Sequence, residues 1–275
     1  MTGPESAAEP VPTRAELRAH LLRHYIAGDV ATPRHNNLRH FRKMAEGDPY
    51  YQFGLDLGSW TYERTVAMMA DLAGTSPDLD HWYGDDTIDV DRTLDALDAM
   101  GDRIGKAARE RQTVVLATGH PAALLDVLYA PLADALRAAG CTVPTPADGW
   151  SYLSFEGRHG PETRTIRYTK GVAALEGEGE LRHTHHSAPM EEMLANLAGE
   201  SRYWPDLVIA DHGWAGAAGE AGVSTVGFAD CNDPALFAGH VLGKIEVCVP
   251  LDDFVLPRHY TPLTRYLMAR ADLSA

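Results

Sequence analysis

Aspartate side chains directly follow two short apolar runs in the second half of the chain. The runs are Leu207–Ala210 and Thr225–Ala229, and the residues after them are Asp211 and Asp230. The small residues of Trp214–Ala221 lie between the runs, so the stretch predicts a β-α-β unit with parallel strands. The carboxyl ends of neighbouring parallel strands form the edge at which open α/β sheets bind ligands. We therefore expect a functional site beside these two carboxylates.

Other polar segments are predicted to reach the same edge. The four segments are Gly119-His120, His183–His186, Asp211-His212 and Asp230–Asp233. Each has a simpler explanation when taken singly, because aspartate and asparagine often cap helices and a histidine pair on a strand can be merely exposed. Together they bring carboxylate, amide and imidazole groups to one crevice, where clustered titratable groups tend to be functional. We therefore favour a joint functional role.

The predicted metal ligands are oxygen atoms of Asp211, Asp230 and Asn232, with Asp233 as a fourth candidate. Oxygen ligands suit Mg²⁺ or Mn²⁺, whereas nearby imidazoles would favour Mn²⁺, Fe²⁺ or Zn²⁺. A divalent ion at this position could hold phosphate oxygens and lower the pKa of a water molecule. An acidic protein could then bind an anionic substrate without a basic surface. The chemistry that this arrangement indicates is hydrolysis of a phosphate monoester.

Histidines supply the predicted catalytic groups, which are His120, His183 and His185. Such groups can protonate a leaving alcohol, orient a water molecule or bind the ion. His183 and His185 would share a face if a strand continues through them, since side chains alternate along a strand. The turn at Thr118 and Gly119 exposes backbone N–H groups at the start of a helix, and we predict that both residues bind the phosphate.

Two further polar segments have more than one interpretation. The segment around Asn37 and Arg39 is either the exposed face of a helix or a cationic, amide-rich arm over an anionic substrate. The exposed face is the simpler explanation, and Asn37 and Arg39 stay candidates for substrate binding. Asp252 and Asp253 follow the apolar run Lys244–Pro250. We interpret these two carboxylates as loop polarity rather than as ligands.

Composition limits the classes of partner. The chain has 275 residues and a formal net charge of -15, which argues against binding to nucleic acids or to anionic membranes. Its three cysteines are widely spaced and form no Cys-x-x-Cys pair, so neither disulfides nor a cysteine zinc cluster are predicted. The N-terminal residues have no signal pattern and no apolar run is long enough to span a membrane, which indicates a cytoplasmic protein. The expected partner is a small phosphorylated metabolite, and a homodimer stays open as the oligomeric state.

The pattern of apolar residues predicts an α/β fold. A helical N-terminal part is followed by a doubly wound, mostly parallel sheet with an antiparallel excursion. Residues 1–12 are predicted to be a disordered leader, and residues 13–110 a helical subdomain with no clear strand signal. Residues 111–275 are predicted to form the α/β catalytic domain.

The strands expected in the second half follow from short β-branched and apolar runs. Thr113–Ala117 is the first predicted strand, and Cys141–Pro144 is a short second one. The helix between them is expected over Ala122–Ala139. The alternating segments Thr165–Tyr168 and Val172–Leu175 predict the antiparallel excursion.

Several motifs resemble those of an actinobacterial family of phosphatases. The resemblance covers about Asn36 to Met268, and its motifs are Ala117–Pro121, His183-Thr184-His185, Pro189-Met190-Glu191, Ala210–Ala217 and Phe228–Pro234. It implies metal-dependent phosphatase activity on a small metabolite, and relatives in nucleoside-antibiotic pathways imply a sugar or nucleoside phosphate. The order of a helical part before an α/β part is also similar to the metal-dependent damage-control phosphatases, whose Asp-Asn motif Asp230 and Asn232 loosely match.

Three other classes of protein are compatible with parts of this pattern to different degrees. A metal-dependent isomerase or lyase acting on a phosphorylated sugar could use the same site, and so could a non-catalytic module that binds a nucleotide or sugar. An NAD-dependent oxidoreductase is disfavoured because no Gly-x-Gly-x-x-Gly follows the first strand. A phosphorylated Asp230 is disfavoured as well, since Asp230–Pro234 lacks the Asp-x-Asp motif of haloacid dehalogenases.

Overall fold

The computed structural model describes residues 10–156, 160–199 and 204–273. Its helices are α1 (Arg14–Arg23), α2 (Arg34–Ala45), α3 (Pro49–Gln52), α4 (Tyr62–Leu72), α5 (Val90–Glu110), α6 (Pro121–Leu124), α7 (Ala130–Ala138), α8 (Ala188–Ala198), α9 (His212–Glu220), α10 (Pro234–Val241) and α11 (Thr261–Arg270). Its strands are β1 (Gly28–Pro33), β2 (Asp85–Ile88), β3 (Val114–Ala117), β4 (Ser151–Ser154), β5 (Glu162–Thr169), β6 (Val172–Gly177), β7 (Glu180–Arg182), β8 (Leu207–Asp211), β9 (Thr225–Ala229) and β10 (Val247–Pro250). Of the predicted leader at residues 1–12, residues 1–9 lie outside the described residues.

A mostly parallel sheet organises the second half of the chain. Its strand order is β10-β9-β8-β3-β6-β5-β4, with β7 paired to β6. The neighbours from β10 to β6 are parallel, whereas β6, β5, β4 and β7 pair antiparallel. Strand β6 therefore joins the antiparallel excursion to the parallel part. This arrangement confirms the predicted fold class, including the parallel β8-α9-β9 unit.

Both faces of the sheet are covered, which explains why its central strands are apolar throughout. On β3, Val114 and Leu116 pack into one core, whereas Val115 and Ala117 pack into the other. Helices α1, α5, α7 and α11 contribute buried residues to the first core, and α2, α4, α8, α9 and α10 contribute to the second. The N-terminal helices therefore complete the two layers on the sheet.

Three predicted elements differ from the observed ones. The second strand expected at Cys141–Pro144 is wrong, because the segment makes only an isolated parallel bridge, between Thr113 and Thr142. The helix expected over Ala122–Ala139 is divided into α6, a π-helical turn at Leu125–Tyr129, and α7. The expectation of no strand before Thr113 also fails, since β1 and β2 form an antiparallel pair with a register shift. Strands this short, one of them ending in proline, leave little periodic signal.

Membrane-spanning helices are not found in the described part of the chain, where none is both long and apolar enough. The 21-residue helix α5 is amphipathic instead, with Leu94, Leu97, Met100 and Ile104 on its buried side. Helix α1 begins at a Thr13 N-cap that forms a capping box with Glu16.

A buried ion pair attaches the β1–β2 ribbon to α2. The guanidinium of Arg34 is fully buried and its Nη1 donates to Asp86 Oδ2 at 2.7 Å. The same guanidinium donates to the backbone oxygen atoms of Ser76 (2.7 Å) and His81 (3.2 Å). Asn37 Nδ2 donates both to Asp86 Oδ2 (2.9 Å) and to Cys231 Sγ (3.3 Å). This network therefore connects the N-terminal ribbon to the residue that follows Asp230.

Replacing Arg34 with methionine should destabilise the protein strongly. The change leaves Asp86 buried without its counter-charge, which typically costs about 3–5 kcal/mol of unfolding free energy. Urea denaturation should show this loss, with Arg18→Met as the matched control because Arg18 pairs with Asp91 at an exposed site. An Arg34→Met midpoint equal to that of the control would contradict the structural importance of the pair.

Candidate functional site

A cavity of about 540 Å³ lies beyond the carboxyl ends of β8, β9 and β10. The cavity is lined by seven of the residues that the sequence predicts for the site, namely Arg39, His120, His183, His185, Asp230, Asn232 and Asp233. Further lining residues include Thr32, Asn36, His40, Tyr50, Tyr51, His212, Asp252, Asp253 and Phe254. The structure thus brings most of the predicted groups together at the predicted edge of the sheet.

His212 is at the centre of this group. It follows the last residue of β8 and starts α9 with a positive φ of 47°, a backbone conformation that is uncommon for residues other than glycine. Its Nδ1 lies 2.9 Å from Asp211 Oδ1. Because an ionised carboxylate can only accept hydrogen bonds, Nδ1 carries a proton and donates it to Asp211. The other ring nitrogen, Nε2, points to the remaining polar groups.

Three ligand-type atoms surround Nε2 of His212. Asp233 Oδ2 lies 3.4 Å from it, Asp253 Oδ2 lies 3.8 Å from it, and His183 Nε2 lies 3.5 Å from it. Two triads result, His183/His185/His212 and His212/Asp233/Asp253, and within each triad the ligand atoms lie within 4.8 Å of one another. Asp253 Oδ2 is buried and has no hydrogen-bond partner among the described residues. Such an atom is suited to bind a cation.

The segment of residues 183–186 brings two further imidazoles to His212. It lies outside the strands, since β7 ends at Arg182, so the expected continuation of a strand through His183 and His185 is wrong. The rings of His183 and His185 each lie 5.0 Å from the ring of His212. The ring of Tyr50 stacks on His185 at 4.4 Å.

Two glycines of α9 allow the backbone of neighbouring segments to approach. A Cβ on Gly213 would lie 2.2 Å from the carbonyl oxygen of His185, and one on Gly216 would lie 1.9 Å from the carbonyl oxygen of Phe53. The ring of Phe53 then contacts both His185 (4.9 Å) and His212 (5.5 Å). The small-residue composition of this helix is therefore required by close packing.

Asp211 is placed beneath the cavity, where it accepts four hydrogen bonds. Besides His212, the donors are Thr118 Oγ1 (2.7 Å), Gly119 N (2.6 Å) and the hydroxyl of Tyr129 (2.7 Å). The carboxylate is fully buried, and Thr118 and Gly119 use their donors on it rather than on a ligand. The structure therefore does not bring Asp211, predicted as a metal ligand, or Thr118 and Gly119, predicted as phosphate-binding residues, to the lining of the cavity. The Asp211 carboxylate instead fixes the orientation of His212.

Other predicted residues occupy different positions. Asn37, predicted to bind substrate, is buried, donates to Cys231 and is not among the residues that line the cavity. Arg39 lines the cavity from α2 and donates to Asn36 Oδ1 at 3.0 Å. Asp230 lines the cavity too, and its two oxygens accept from Thr32 Oγ1 (3.0 Å) and Cys231 N (2.6 Å).

Helix capping does not account for the aspartates. Asp211 and Asp233 occupy N-cap positions of α9 and α10, but the side chain of neither makes a capping hydrogen bond in the described structure. Asp233 points to His212 instead. The carboxylates therefore remain available for the cavity and for the histidine.

The electrostatics of the cavity are dominated by its carboxylates. Burial raises the pKa values of Asp233, Asp252 and Asp253 above their usual range, and mutual repulsion adds to this. Burial also raises the pKa of Asp230. Burial opposes the charged form of His212, but Asp233, Asp211 and Asp253 outweigh it and raise its pKa to about 10. The imidazolium of His212 is the main positive charge in this cluster.

The other imidazoles of the cavity are neutral at neutral pH. Burial, with the nearby charge of His212, lowers the pKa of His120 to about 4 and lowers those of His183 and His185 as well. Neutral imidazole is the form that binds metal ions. His183 and His185 are therefore in the form that binds a divalent metal, whereas His212 could join Asp233 and Asp253 as a ligand only by releasing the proton on its Nε2.

His212 belongs to one of the four predicted polar segments, but neither it nor Asp253 is among the predicted catalytic or metal-binding residues. His212 was hidden by its position next to Asp211, although a His-Gly pair directly after an apolar strand is a signal for it. Asp252 and Asp253 were interpreted as loop polarity, yet both are buried and line the cavity. Their place after β10, the next strand beside β9, was the signal for them.

Comparison with known proteins finds similarity over nearly the whole chain. A protein-family model described as Phosphatase matches residues 12–275. A Streptomyces coelicolor protein named as a phosphatase is 49% identical over 265 residues, which cover 95% of this chain and 97% of that protein. The similarity therefore includes both the N-terminal helices and the sheet.

Replacing Gly213 with alanine should destabilise the protein and move the segment that contains His185. The added methyl group has no space, and overpacking of this kind costs about 1–3 kcal/mol. Urea denaturation measures the loss. Gly199→Ala is the matched control, because its φ is -68° and the nearest atom to its Cβ would be 3.7 Å away. Equal midpoints for the two variants would contradict the close packing at Gly213.

Proposed function

This chain belongs to the Phosphatase family, and on that premise we propose that it is a metal-dependent phosphatase that hydrolyses a phosphate monoester of a small metabolite. Family membership and the name of the Streptomyces coelicolor relative both support phosphatase activity, which is a hydrolase activity. The donor groups around His212 support the metal dependence. The proposed substrate is a sugar or nucleoside phosphate, with a role in nucleoside-antibiotic biosynthesis as one setting.

The convergence on His212 Nε2 is the observation that carries this proposal. Two carboxylates and the imidazole of His183 come close to this atom, and the ring of His185 lies beside the His212 ring, in a cavity at the ligand-binding edge of the sheet. We propose that His183, His185, His212, Asp233 and Asp253 supply the metal ligands. A mixture of imidazole and carboxylate suits Mn²⁺, Fe²⁺ or Zn²⁺ better than Mg²⁺.

The charge of the cavity supports the proposal that a cation is needed for a phosphate to bind. Among the described residues, Arg39 is the one lysine or arginine that lines the cavity. Four carboxylates line it, those of Asp230, Asp233, Asp252 and Asp253. A phosphate would be repelled by these carboxylates. A divalent ion supplies positive charge for the phosphate oxygens and makes a nucleophilic water accessible near neutral pH.

The residues of the chain then have separate tasks. Asp211 holds the proton on Nδ1 of His212, so Nε2 is the ring nitrogen that would release its proton and bind the ion. Arg39 at the cavity wall contributes a charge-assisted donor to the phosphate. His120 lines the cavity with an imidazole that is neutral, and it is suited to accept a proton and orient the attacking water.

Removal of divalent metal should abolish phosphate release. We expect turnover of p-nitrophenyl phosphate, or of members of a sugar phosphate panel, that stops in EDTA and returns with Mn²⁺. Asp253→Asn should lower kcat/KM by more than the ~10–100-fold that is typical of residues which only support a ligand.

The matched control for this change is Asp71→Asn, because the Asp71 side chain is 82% exposed and lies outside the cavity. Its activity should equal that of the unmodified chain. Activity that survives both EDTA and Asp253→Asn would rule out the metal. Product analysis that finds a rearranged sugar phosphate without inorganic phosphate would identify an isomerase instead.

Replacing Asp211 with asparagine should weaken metal binding without removing a ligand. The amide cannot accept all four hydrogen bonds and no longer fixes the proton on Nδ1 of His212. We expect a loss of about 10–100-fold in metal affinity. Titration with Mn²⁺ measures it, and an affinity equal to that of the unmodified chain would show that the carboxylate does not orient His212.

A further inference from the structure

The histidines of residues 183–186 need external support, because they are not part of a strand or helix. Thr184 N donates to the carbonyl oxygen of Gly119 at 3.0 Å. On the other side, the carbonyl oxygen of His185 packs against Gly213. These backbone contacts leave the Thr184 hydroxyl and the His185 amide to be held by a different group.

Glu156 supplies that group. Its Oε2 accepts from the hydroxyl of Thr184 at 2.9 Å, and its Oε1 accepts from the backbone N–H of His185 at 3.4 Å. Thr184 Oγ1 in turn accepts from the backbone N–H of His186 at 3.0 Å. The Glu156 side chain is only 12% exposed. The carboxylate therefore holds Thr184 and His185 directly, and it holds His186 through the Thr184 hydroxyl.

Arg164 on β5 completes the arrangement. Its Nη1 pairs with Glu156 Oε2 and donates to the carbonyl oxygen of His183 at 3.0 Å. Its Nε pairs with Glu162 Oε1 at 2.9 Å, and Glu162 Oε2 also accepts from Arg182 at 3.1 Å. Glu156 and Glu162 are thus two partly buried carboxylates on one guanidinium. Glu156 accepts hydrogen bonds from the histidine segment, whereas Glu162 accepts from Arg164 and Arg182.

We propose that Glu156, supported by Arg164, is a positioning residue that sets His183 and His185 at the distance from His212 required to bind the metal. This role rests on the proposed function, because it presupposes that these histidines are ligands. It also gives a function to the antiparallel excursion, since Glu156 follows β4 and Arg164 lies on β5. The excursion then supplies the frame for two of the three imidazoles.

The proposal predicts a selective loss of metal affinity. In Glu156→Ala the segment loses its acceptor, and we expect Mn²⁺ to bind about 10–100-fold more weakly, as for other residues that orient a ligand. Glu156→Gln retains one acceptor oxygen and should fall between the unmodified chain and Glu156→Ala. Glu162→Ala removes the other carboxylate of Arg164 and should bind Mn²⁺ as tightly as the unmodified chain.

The full chain and the three variants are titrated with Mn²⁺ alone, and calorimetry measures the affinity of each. Thermal unfolding in EDTA shows whether each variant is folded, and hydrogen exchange by mass spectrometry follows the amides of residues 183–186. Exchange in this segment should be faster in Glu156→Ala than in Glu162→Ala.

The outcomes separate this inference from the proposed function. An unmodified chain that binds no Mn²⁺ would overturn the proposed function and the positioning role together. If the unmodified chain binds Mn²⁺ and Glu156→Ala binds it equally tightly, only the positioning role is overturned. An equal loss in Glu162→Ala, or equal exchange in the two alanine variants, would assign the effect to general loosening of the excursion and would also overturn it.

Discussion

The hydrogen bond between Asp211 and His212 is the interaction on which the rest of the site depends. Asp211 also accepts hydrogen bonds from Thr118, Gly119 and Tyr129, so it connects the end of β3 and the π-helical turn to the start of α9. The four donors hold the carboxylate in one orientation. His212 Nδ1 is thereby committed to Asp211, and its Nε2 can face only the cavity. A buried polar network of this kind rigidifies a site when every member has a partner.

The second constraint is the crowding of negative charge. Asp230, Asp233, Asp252 and Asp253 are all buried in one cavity, where burial and the charge of neighbouring carboxylates disfavour their ionised forms. The proton on Nε2 of His212 offsets part of this repulsion. A divalent cation at the same place would offset more of it, because it carries twice the charge and binds several oxygens. Under the proposed function, the same crowding of carboxylates would favour metal binding and would let the cavity accept a phosphate afterwards.

Much of the fold could be predicted from the sequence, because parallel strands that are buried on both faces appear as continuous apolar runs. The edge of the sheet at which the polar groups meet followed from Leu207–Ala210 and Thr225–Ala229. Roles within the cluster could not be predicted in the same way. Asp211 and His212 are adjacent in sequence, yet the Asp211 side chain lies below the cavity and the His212 side chain lies in it. The backbone of His212 has a positive φ at this point, and no sequence pattern indicates that conformation. Asn37 was likewise assigned from composition, although long-range contacts bury it.

The site is also divided among segments that are remote in sequence. The histidine segment depends on Glu156 and on Gly213, which come from the antiparallel excursion and from α9. Side-chain contacts over such distances leave no periodic pattern in a single sequence. The strand ends could be predicted because topology alone places them, whereas the supporting contacts require coordinates.

The most direct measurement is anomalous X-ray diffraction from a crystal of the protein soaked in MnCl₂. We expect one strong anomalous peak within bonding distance of His212 Nε2 and of the carboxylates of Asp233 and Asp253. A soaked crystal with no anomalous peak in the cavity, or with peaks only at surface carboxylates elsewhere, would contradict the claim that this group of side chains binds a metal ion.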